Sequence, residues 1–546
     1  MSKIIDEILS ELLEDKTQVK KIYEYILEEI EEVNLVKNDI TTKEEALFSN
    51  KDMLLISYPD QFQDGKNNPL ISLKKFLEND LENKVNGVHI LPFYPWTSDD
   101  GFSPKSYDEV CDEYGTWDDI DSIKQFKMFD CVFNHISSSS EFFQKALAGN
   151  KDYENMFHIF SEEQYNSLRF QEHIRKVVRP RIHPLLTKYT FSNNEDKYVW
   201  TTFSEDQIDT NISNHEMLKY IIKSFFKYIQ HGSKYFRVDA VPFFWKELGT
   251  NCSHQPNTHK FVQLLREITN LINKNLLIVT ESNVPHDENI TYFGDGSNEA
   301  HVIYNFSLAP LVLHSINTEN SSDISRWAKK VFNTSDTCSF LNFTATHDGI
   351  GLRGLEGIVS DEHIDSLCKR ATSKSGVIGK KRGRDGSTRP YEMNITWASF
   401  LTNDDEPIDI SINKIVNSHA VIMFFPGIPA HYAHNFLGSL NWEKGFKDSS
   451  IPRRLNRKKI KYPINYSEYS LKVKNKLLAF IDSKTSNSNF HPNEPIEVLN
   501  LDFQVLCFTR GKNKPTLVAF NLTNKIKEIS YQEIKYKLSP YELIIS

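Results

Sequence analysis

The chain has 546 residues, of which 39% are hydrophobic and 25% charged, and its formal net charge is −9 at pH 7. These values are typical of a soluble globular protein, and the length predicts one large domain with additions, or two to three domains. The mild negative charge argues against nucleic-acid binding, and no run approaches the roughly eighteen apolar residues of a membrane span. The start shows no signal-peptide pattern and the six cysteines are widely spaced, so we predict a cytoplasmic location.

The N-terminal segment has apolar side chains at helical spacing. In residues 3–35 they include Ile4, Ile8 and Leu12, with glutamate and lysine between them. This periodicity predicts two amphipathic helices in an extension that covers residues 1–50. Packing of the extension on the main domain is the simpler interpretation, and a role in forming a homodimer is the alternative.

Eight short apolar runs follow, and stretches of helical character separate most of them. Near-continuous apolar strands that alternate with helices are typical of a parallel sheet covered on both faces. Eight such strands predict an α/β fold of the (β/α)₈ barrel type, which we assign to residues 51–136 and 201–465. The predicted strands lie in residues 53–58, 87–92, 127–135, 235–241, 276–281, 302–306, 339–347 and 421–427.

Three further segments depart from the barrel pattern. Residues 137–200 are too long for a simple loop, and predict an inserted subdomain after the third strand, over the active face. Residues 371–396 contain a run rich in glycine, lysine and arginine and are predicted to form a long mobile loop. Residues 466–546 contain short alternating runs between Gly, Asn and Pro, which predict a C-terminal antiparallel β domain.

Three carboxylates, Asp239, Glu281 and Asp348, each follow an apolar run that predicts a strand. Because the carboxyl ends of barrel strands form one face, we expect these side chains to meet in one cleft. Arg237 lies on the same strand face as Asp239, where its guanidinium favours the ionised carboxylate of a nucleophile. Glu281 has more apolar neighbours, which favour a protonated general acid. Retaining glycosidases use such a pair of carboxyl groups.

Each of these signals also has an ordinary structural explanation when it stands alone. An aspartate at the end of a strand is more often a helix cap or a loop acceptor than a catalytic group. Arg237 with Asp239 fits a structural ion pair, and Asn134 with His135 fits a satisfied pair in the core. The order and the residue content of the motifs, taken together, indicate a catalytic site more specifically than any one motif does.

Four motifs, in this order, resemble the shared segments of the α-amylase superfamily of glycoside hydrolases. They are residues 130–135, 236–241, 280–281 and 346–348, and the resemblance covers residues from about 53 to 546. By this resemblance, Asp239 is the nucleophile, Glu281 is the acid/base and Asp348 is the third carboxylate. It also implies that the sugar is contacted by His135, Arg237 and His347.

Further sequence segments are similar to those of the sucrose phosphorylase branch of that superfamily, and most of all to those of glucosylglycerate phosphorylases. The likeness lies in residues 98–104, 200–209, 246–259 and 455–457. It implies that Asp99 grips glucosyl hydroxyls above a platform formed by Phe102. It also implies further contacts to a single glucosyl unit from Gln207 and Arg457. Arg181 resembles a motif near the phosphate position, with a solvated basic patch as the alternative interpretation.

The resemblance implies a retaining α-glucoside phosphorylase that converts glucosylglycerate, or sucrose, to α-glucose 1-phosphate through a covalent glucosyl-Asp239 intermediate. The expected partners are a small glucoside and inorganic phosphate, with no cofactor, metal ion, nucleic acid or membrane. Departures from the expected wording at residues 212–215 and 391–397 leave the acceptor open among glycerate, fructose, fructose 6-phosphate and glycerol. The alternatives are a sucrose 6-phosphate phosphorylase, a hydrolase or transglucosidase of the same family, and a non-catalytic sugar-binding barrel.

Overall fold

The computed structural model describes residues 3–37, 46–332, 335–382 and 387–546. Its centre is a closed barrel of eight parallel strands, numbered β1 to β8 in chain order, in which β1 lies beside β8. Leu54 pairs with Gly87 on one side and with Ala430 on the other. The predicted (β/α)₈ barrel is confirmed. Its strands are Leu54–Ser57, Gly87–Ile90, Phe126–Cys131, Ser233–Val238, Leu277–Thr280, Val302–Tyr304, Ser339–Phe343 and Ile428–Tyr432.

A ring of helices covers the outside of the barrel. Every residue of β1, β2, β5 and β7 is buried, because one face of each strand lines the barrel and the other meets these helices. No helix in the described ranges is both long and apolar enough to cross a lipid bilayer. The main outer helices are Pro69–Lys75, His215–Gln230, Pro256–Ile272, Leu308–Thr318, Ser322–Val331, Asp361–Ser373, Ile408–Phe424 and Glu468–Ser486.

The predicted position of the eighth strand, residues 421–427, is wrong. Residues 421–424 form the last turn of the helix Ile408–Phe424, and the strand β8 follows it. Every residue from 414 to 424 is buried, so this part of the helix has no polar face to reveal its periodicity. A short, continuous apolar run does not by itself distinguish a buried helix from a buried strand.

The chain leaves the barrel after β3 and forms an insertion before the helix that leads to β4. A short antiparallel pair, His135–Ser137 with Gln207–Asp209, joins the two ends of this insertion. A small buried cluster around Phe170 and Trp200 forms its own core. The insertion contains the helices Glu141–Leu147, Lys151–Glu154, Glu162–Asn166 and Leu168–Lys176, and a sheet of Ile159–Ser161, Asp196–Trp200 and Leu186–Thr190.

The N-terminal helices, α1 (Lys3–Leu12) and α2 (Lys16–Lys37), lie against the outside of the barrel. The apolar face of α1 is buried, and Lys260 on the helix Pro256–Ile272 places its Nζ 2.9 Å from the Glu11 carboxylate. The extension therefore packs on the barrel, as the simpler interpretation of its sequence predicts.

An antiparallel sheet follows the last long helix, which confirms the C-terminal β domain predicted from the sequence. A separate two-stranded hairpin packs beside this sheet. In sheet order, the four strands are Ile496–Asp502, Val505–Arg510, Thr516–Asn521 and Leu543–Ile545, and the hairpin strands are Lys527–Tyr531 and Ile534–Leu538.

The prediction of a long mobile loop at residues 371–396 is wrong for the residues that the structure describes. Val377–Arg382 and Thr388–Asn394 pair as an antiparallel hairpin, called the 377–394 hairpin below. Several of its residues are exposed lysine or arginine, so the apolar alternation that marks a half-buried strand is weak. Residues 383–386, which contribute Arg384 to the basic run, lie outside the described residues.

Candidate active site

The three predicted carboxylates meet at the carboxyl ends of the barrel strands. Asp239 comes directly after β4 and Glu281 directly after β5, while Asp348 follows β7 by five residues. Arg237 places Nη1 2.7 Å from Asp239 Oδ1 and Nη2 3.8 Å from Glu281 Oε2. A single guanidinium therefore contacts the two carboxyl groups that the sequence assigns to catalysis.

Contacts with neighbouring barrel strands hold the Arg237 guanidinium in place. Its Nη1 donates to Asp130 on β3, and the Asp130 Oδ2 atom lies 2.6 Å from His89 Nε2 on β2. The rings of Phe102 and Tyr304 lie 5.6 and 5.4 Å from the guanidinium carbon. Buried charges are stable only when they are paired, and this set of partners holds the cation in one place.

The two carboxyl groups beside Arg237 differ in their protonation. Burial raises the pKa of Glu281 to about 7, against the effect of Arg237 and with a further contribution from the charge of Asp239. Burial also raises the pKa of Asp239, while Arg237 acts in the opposite direction. Because Asp239 makes the shorter contact with the guanidinium, it holds the negative charge of the pair, and Glu281 holds the proton near neutral pH.

Asp348 is ionised in spite of its burial. Burial acts to raise its pKa, but the nearby guanidinium groups of Arg453 and Arg457 hold the pKa well below its usual range. Burial lowers the pKa of His347 to about 3, so its imidazole is neutral. His347 Nε2 lies 3.3 Å from Asp348 Oδ2 without the alignment of a hydrogen bond. Both ring nitrogens and the Tyr58 hydroxyl lack a partner among the described residues, and they suit the hydroxyls of a bound sugar.

Acidic and basic side chains close the end of this pocket. Asp99 and Asp100 both have positive φ angles, 50° and 51°, and the turn that they form directs both carboxylates towards Arg457. Arg457 Nη1 lies 3.0 Å from Asp99 Oδ1 and 2.8 Å from Asp100 Oδ2, and Nη2 lies 3.5 Å from Asp348 Oδ1. Arg453 Nη1 lies 2.9 Å from the same Asp348 oxygen. We call this closed site, from Asp239 to Arg457, the carboxylate pocket.

The remaining predicted contacts line the wall of the carboxylate pocket. Phe102 stacks on His347 with the ring centroids 5.1 Å apart, and its carbonyl oxygen lies 2.8 Å from both His135 Nε2 and Gln207 Nε2. His135 and Gln207 are therefore in the site, but each already uses one nitrogen to hold the Phe102 backbone. Gln207 also accepts a hydrogen bond from Ser204 through Oε1.

A cavity of about 1270 Å³ opens beside Glu281, between the insertion, the 377–394 hairpin and the barrel loops. We call it the cationic chamber. Two of its cations, Arg353 and Lys381, share the single carboxylate of Glu356, at 3.5 and 2.6 Å. Among the described residues, the lining contains three carboxyl groups and six cations, namely Glu281, Glu288, Glu356, Arg175, Arg179, Arg353, Lys381, Arg382 and Arg389.

Arg181, the residue that the sequence assigns to phosphate, stands at the edge of this chamber. Its guanidinium carbon lies 5.1 Å from the centre of the Tyr391 ring and 5.9 Å from that of Phe203, and both rings line the cavity. Arg179 forms a backbone bridge with Arg382 of the hairpin. The insertion and the hairpin therefore meet over the chamber.

Asn134 lies beside a buried ammonium group. Lys246 Nζ lies 2.9 Å from Asn134 Oδ1 and 2.9 Å from Asp209 Oδ2, and the pair is buried. Within the described ranges, one set of histidine and acidic side chains has ligand atoms close enough for a metal ion. It lies on the outer helices and consists of His314, Asp323 and His363.

Several residues of the site were not predicted from the sequence. Tyr58 directly follows β1, so its position after an apolar run was a usable signal. Asp100 pairs with Arg457 and Arg453 pairs with Asp99, in both cases more than 300 residues away, but three arginines within residues 453–457 were a clue to a charged site. His89 and Glu392 carry no local signal, since each has its role only through tertiary contacts.

Residues 57–349 match the family model of the α-amylase catalytic domain. The chain belongs to the α-amylase family. The matched range contains β2 to β7 and all three catalytic candidates of the carboxylate pocket, Asp239, Glu281 and Asp348. The α-amylase match ends before Arg457 and the 377–394 hairpin.

Among curated members similar to this chain, a glucosylglycerate phosphorylase from Escherichia coli is 35% identical over 90% of this chain and 89% of its own length. A glucosylglycerate phosphorylase from Allomeiothermus silvanus is 37% identical over 89% of this chain and 88% of its own. The crystal structure of sucrose 6F-phosphate phosphorylase from Thermoanaerobacter thermosaccharolyticum has the same fold, with a TM-score of 0.75 at 22% identity. That similarity covers 90% of this chain and 98% of that one.

Proposed function

We propose that this protein is a retaining α-glucoside phosphorylase that transfers a glucosyl unit from glucosylglycerate to inorganic phosphate. The observation that carries the proposal is the pairing of two adjoining sites around Glu281. The carboxylate pocket suits one neutral sugar ring, and the cationic chamber suits an anion.

In the first step, Asp239 attacks the anomeric carbon of the donor. Arg237 holds Asp239 as the carboxylate, and Glu281, with its pKa raised to about 7 by burial, gives its proton to the departing glycosidic oxygen. The bond from the anomeric carbon to the leaving group breaks as the bond to Asp239 forms, which leaves a β-glucosyl enzyme. Asp348, His347 and the closed end at Arg457 hold the sugar hydroxyls.

In the second step, phosphate enters the cationic chamber after the acceptor departs. It attacks the anomeric carbon from the vacated face, breaks the bond to Asp239 and leaves as α-glucose 1-phosphate, with Glu281 receiving the proton of the attacking oxygen. Two inversions give net retention. Phosphate carries one to two negative charges near pH 7, and the excess of cations over carboxylates in the chamber offsets them.

The choice of glucosylglycerate as donor rests on two observations. The similar proteins with the higher identities among those compared above are glucosylglycerate phosphorylases. Glycerate carries a carboxylate, which the chamber cations suit better than they suit neutral fructose. The same cations favour a phosphorylated sugar, so sucrose 6-phosphate is the second candidate donor. The cytoplasmic location and the homodimer stay predictions from the sequence.

The test is to incubate the protein with inorganic phosphate and one donor at a time, and to measure glucose 1-phosphate and free glucose. The donors are glucosylglycerate, sucrose, sucrose 6-phosphate and glucosylglycerol. We expect phosphate-dependent glucose 1-phosphate formation, fastest from glucosylglycerate. The variant Asp239→Asn is expected to lose on the order of 10⁴-fold of this activity, because it lacks the nucleophile.

A surface variant, Asp121→Asn, serves as the matched control, because Asp121 pairs with His231, outside the site. It should keep wild-type activity. Release of glucose at a rate that does not depend on phosphate would contradict the phosphorylase and favour a hydrolase. Full activity in Asp239→Asn would exclude Asp239 as the nucleophile.

A further inference from the structure

One arginine contacts both the carboxylate pocket and the 377–394 hairpin. Arg453 lies in the short 3₁₀ turn Pro452–Asn456, and its Nη1 is 2.9 Å from Asp348 Oδ1 and 3.5 Å from Asp99 Oδ2. On its other side, Nη2 lies 3.1 Å from Glu392 Oε2 and Nε 3.4 Å from Glu392 Oε1. The guanidinium thus joins a carboxylate of the sugar site to a carboxylate of the hairpin.

The hairpin is built to bring Glu392 into this position. Glu392 is only 7% exposed, and in the sheet register it faces Gly379. A Cβ atom at Gly379 would lie 2.7 Å from Glu392 Cγ, so the glycine leaves the space that the glutamate side chain fills. A buried carboxylate without a partner is costly, and Arg453 is the cation that it contacts.

The same hairpin lines the cationic chamber. Tyr391, next to Glu392, carries the ring against which Arg181 lies, and Lys381, Arg382 and Arg389 line the cavity. The position of these groups relative to Glu281 therefore depends on how the hairpin is held. The hairpin is also held by backbone pairing of Met393 and Glu392 with Ile350 and Gly351, just after Asp348. The ion pair from Arg453 to Glu392 adds a side-chain contact from the carboxylate pocket.

We propose that Arg453 and Glu392 are positioning residues that hold the hairpin in register with the carboxylate pocket, so that the glucosyl enzyme reacts with phosphate in preference to water. This inference rests on the phosphorylase function proposed above. Phosphate needs cations at fixed places, and a misplacement of about 1 Å can cost about 100-fold in rate. Water needs no such cations, so loosening the hairpin slows phosphorolysis more than hydrolysis.

The experiment measures glucose 1-phosphate and free glucose in the same incubation with glucosylglycerate and phosphate, for wild type, Glu392→Gln and Arg453→Lys. We expect the ratio of glucose to glucose 1-phosphate to rise at least about tenfold in Glu392→Gln, with a higher KM for phosphate. The variant Glu392→Asp keeps the charge and should restore part of the wild-type ratio. Lys380→Gln, an exposed change on the other strand of the same hairpin, should leave the ratio unchanged.

The double variant Arg453→Lys with Glu392→Gln tests whether the two residues act as one unit. The fold-change in the ratio of glucose to glucose 1-phosphate should be smaller than the two single fold-changes multiplied together. The reason is that the second substitution removes a contact that the first has already removed. Wild-type ratios in folded Glu392→Gln, or independent effects in the double variant, would overturn the inference while the phosphorylase function stands. Absence of glucose 1-phosphate with wild type would instead overturn the proposed function.

Discussion

The carboxylate pocket and the cationic chamber adjoin at Glu281, yet they are built in opposite ways. In the pocket, each ionised group meets an opposite charge at close range, as Asp348 meets Arg453 at 2.9 Å and Asp100 meets Arg457 at 2.8 Å. In the chamber, six cations and three carboxyl groups among the described residues line a cavity of about 1270 Å³, and one of the three, Glu281, holds its proton near neutral pH. The pocket is electrostatically complete without a ligand, whereas the chamber leaves positive charge for an anion to neutralise.

This difference assigns separate roles to the two regions. A pocket with paired charges and unpartnered groups such as His347 and Tyr58 can hydrogen-bond a neutral sugar without gaining or losing charge. A chamber with excess positive charge selects by charge and lowers the cost of bringing an anion beside Asp239. Changes in the pocket should therefore slow every reaction of the enzyme, and changes in the chamber should alter the choice between phosphate and water.

The largest loss of activity is expected for Glu281→Gln, at the boundary between the carboxylate pocket and the cationic chamber. Glutamine cannot give a proton to the departing oxygen, so turnover of glucosylglycerate should fall by about 10² to 10⁴-fold. In wild type, glucosyl transfer should decline as the pH rises through about 7, because Glu281 loses its proton there. The variant should lack this decline. The measurement is the pH profile of kcat/KM for both proteins, and a decline that persists in Glu281→Gln would assign it to another group.

The raised pKa of Glu281 also makes a prediction for stability. The folded protein holds the proton up to about pH 7, while the unfolded chain releases it near the ordinary value of 4.5. Folding is therefore favoured by this group below pH 4.5, and that contribution is lost as the pH rises towards 7. Above pH 7, Glu281→Gln should melt at a higher temperature than wild type, and near pH 4.5 the two should converge. An unchanged difference across this range would contradict the assignment.

A smaller effect is expected inside the pocket, in Arg457→Lys. Lysine keeps the charge but cannot contact Asp99, Asp100 and Asp348 together, so the end of the pocket loses its fixed shape. We expect kcat/KM for the donor to fall by about 100-fold, and phosphorolysis and phosphate-free hydrolysis to fall together. Product analysis with and without phosphate measures both. A change in the ratio of the two products would show that the pocket and the chamber are not separate in function.

The sequence predicts the pocket better than the chamber, for a physical reason. Asp239 and Glu281 directly follow apolar strands, and the barrel brings strand ends together whatever the loops do. The contacts of Asp100 with Arg457 and of Asp99 with Arg453, by contrast, join segments more than 300 residues apart, and no local pattern predicts such a pairing. The fold shows the same limit, because the fully buried end of the helix Ile408–Phe424 was predicted as a strand.

The chamber is harder to predict from the sequence because its strands do not follow a hydrophobic pattern. The 377–394 hairpin carries charged side chains towards the cavity, so its strands were predicted as a mobile loop. Arg179 and Arg353 lie far apart in the sequence, and only the tertiary structure brings them to one cavity. Acceptor choice therefore depends on contacts between segments distant in sequence.

The smallest effect is expected in the chamber itself, in Lys381→Met. Lys381 lies in the chamber wall, 2.6 Å from Glu356, so its removal leaves that carboxylate to Arg353 and reduces the net positive charge. We expect the KM for phosphate to rise about fivefold, since one partly screened charge contributes about 1 kcal/mol, while phosphate-free hydrolysis changes little. Lys380→Met is the matched control, because neighbouring residues of a strand point to opposite faces and Lys380 is exposed. An equal rise in both variants would mean that phosphate senses only the overall charge of the hairpin, and an equal loss of hydrolysis in Lys381→Met would remove the distinction between the two regions.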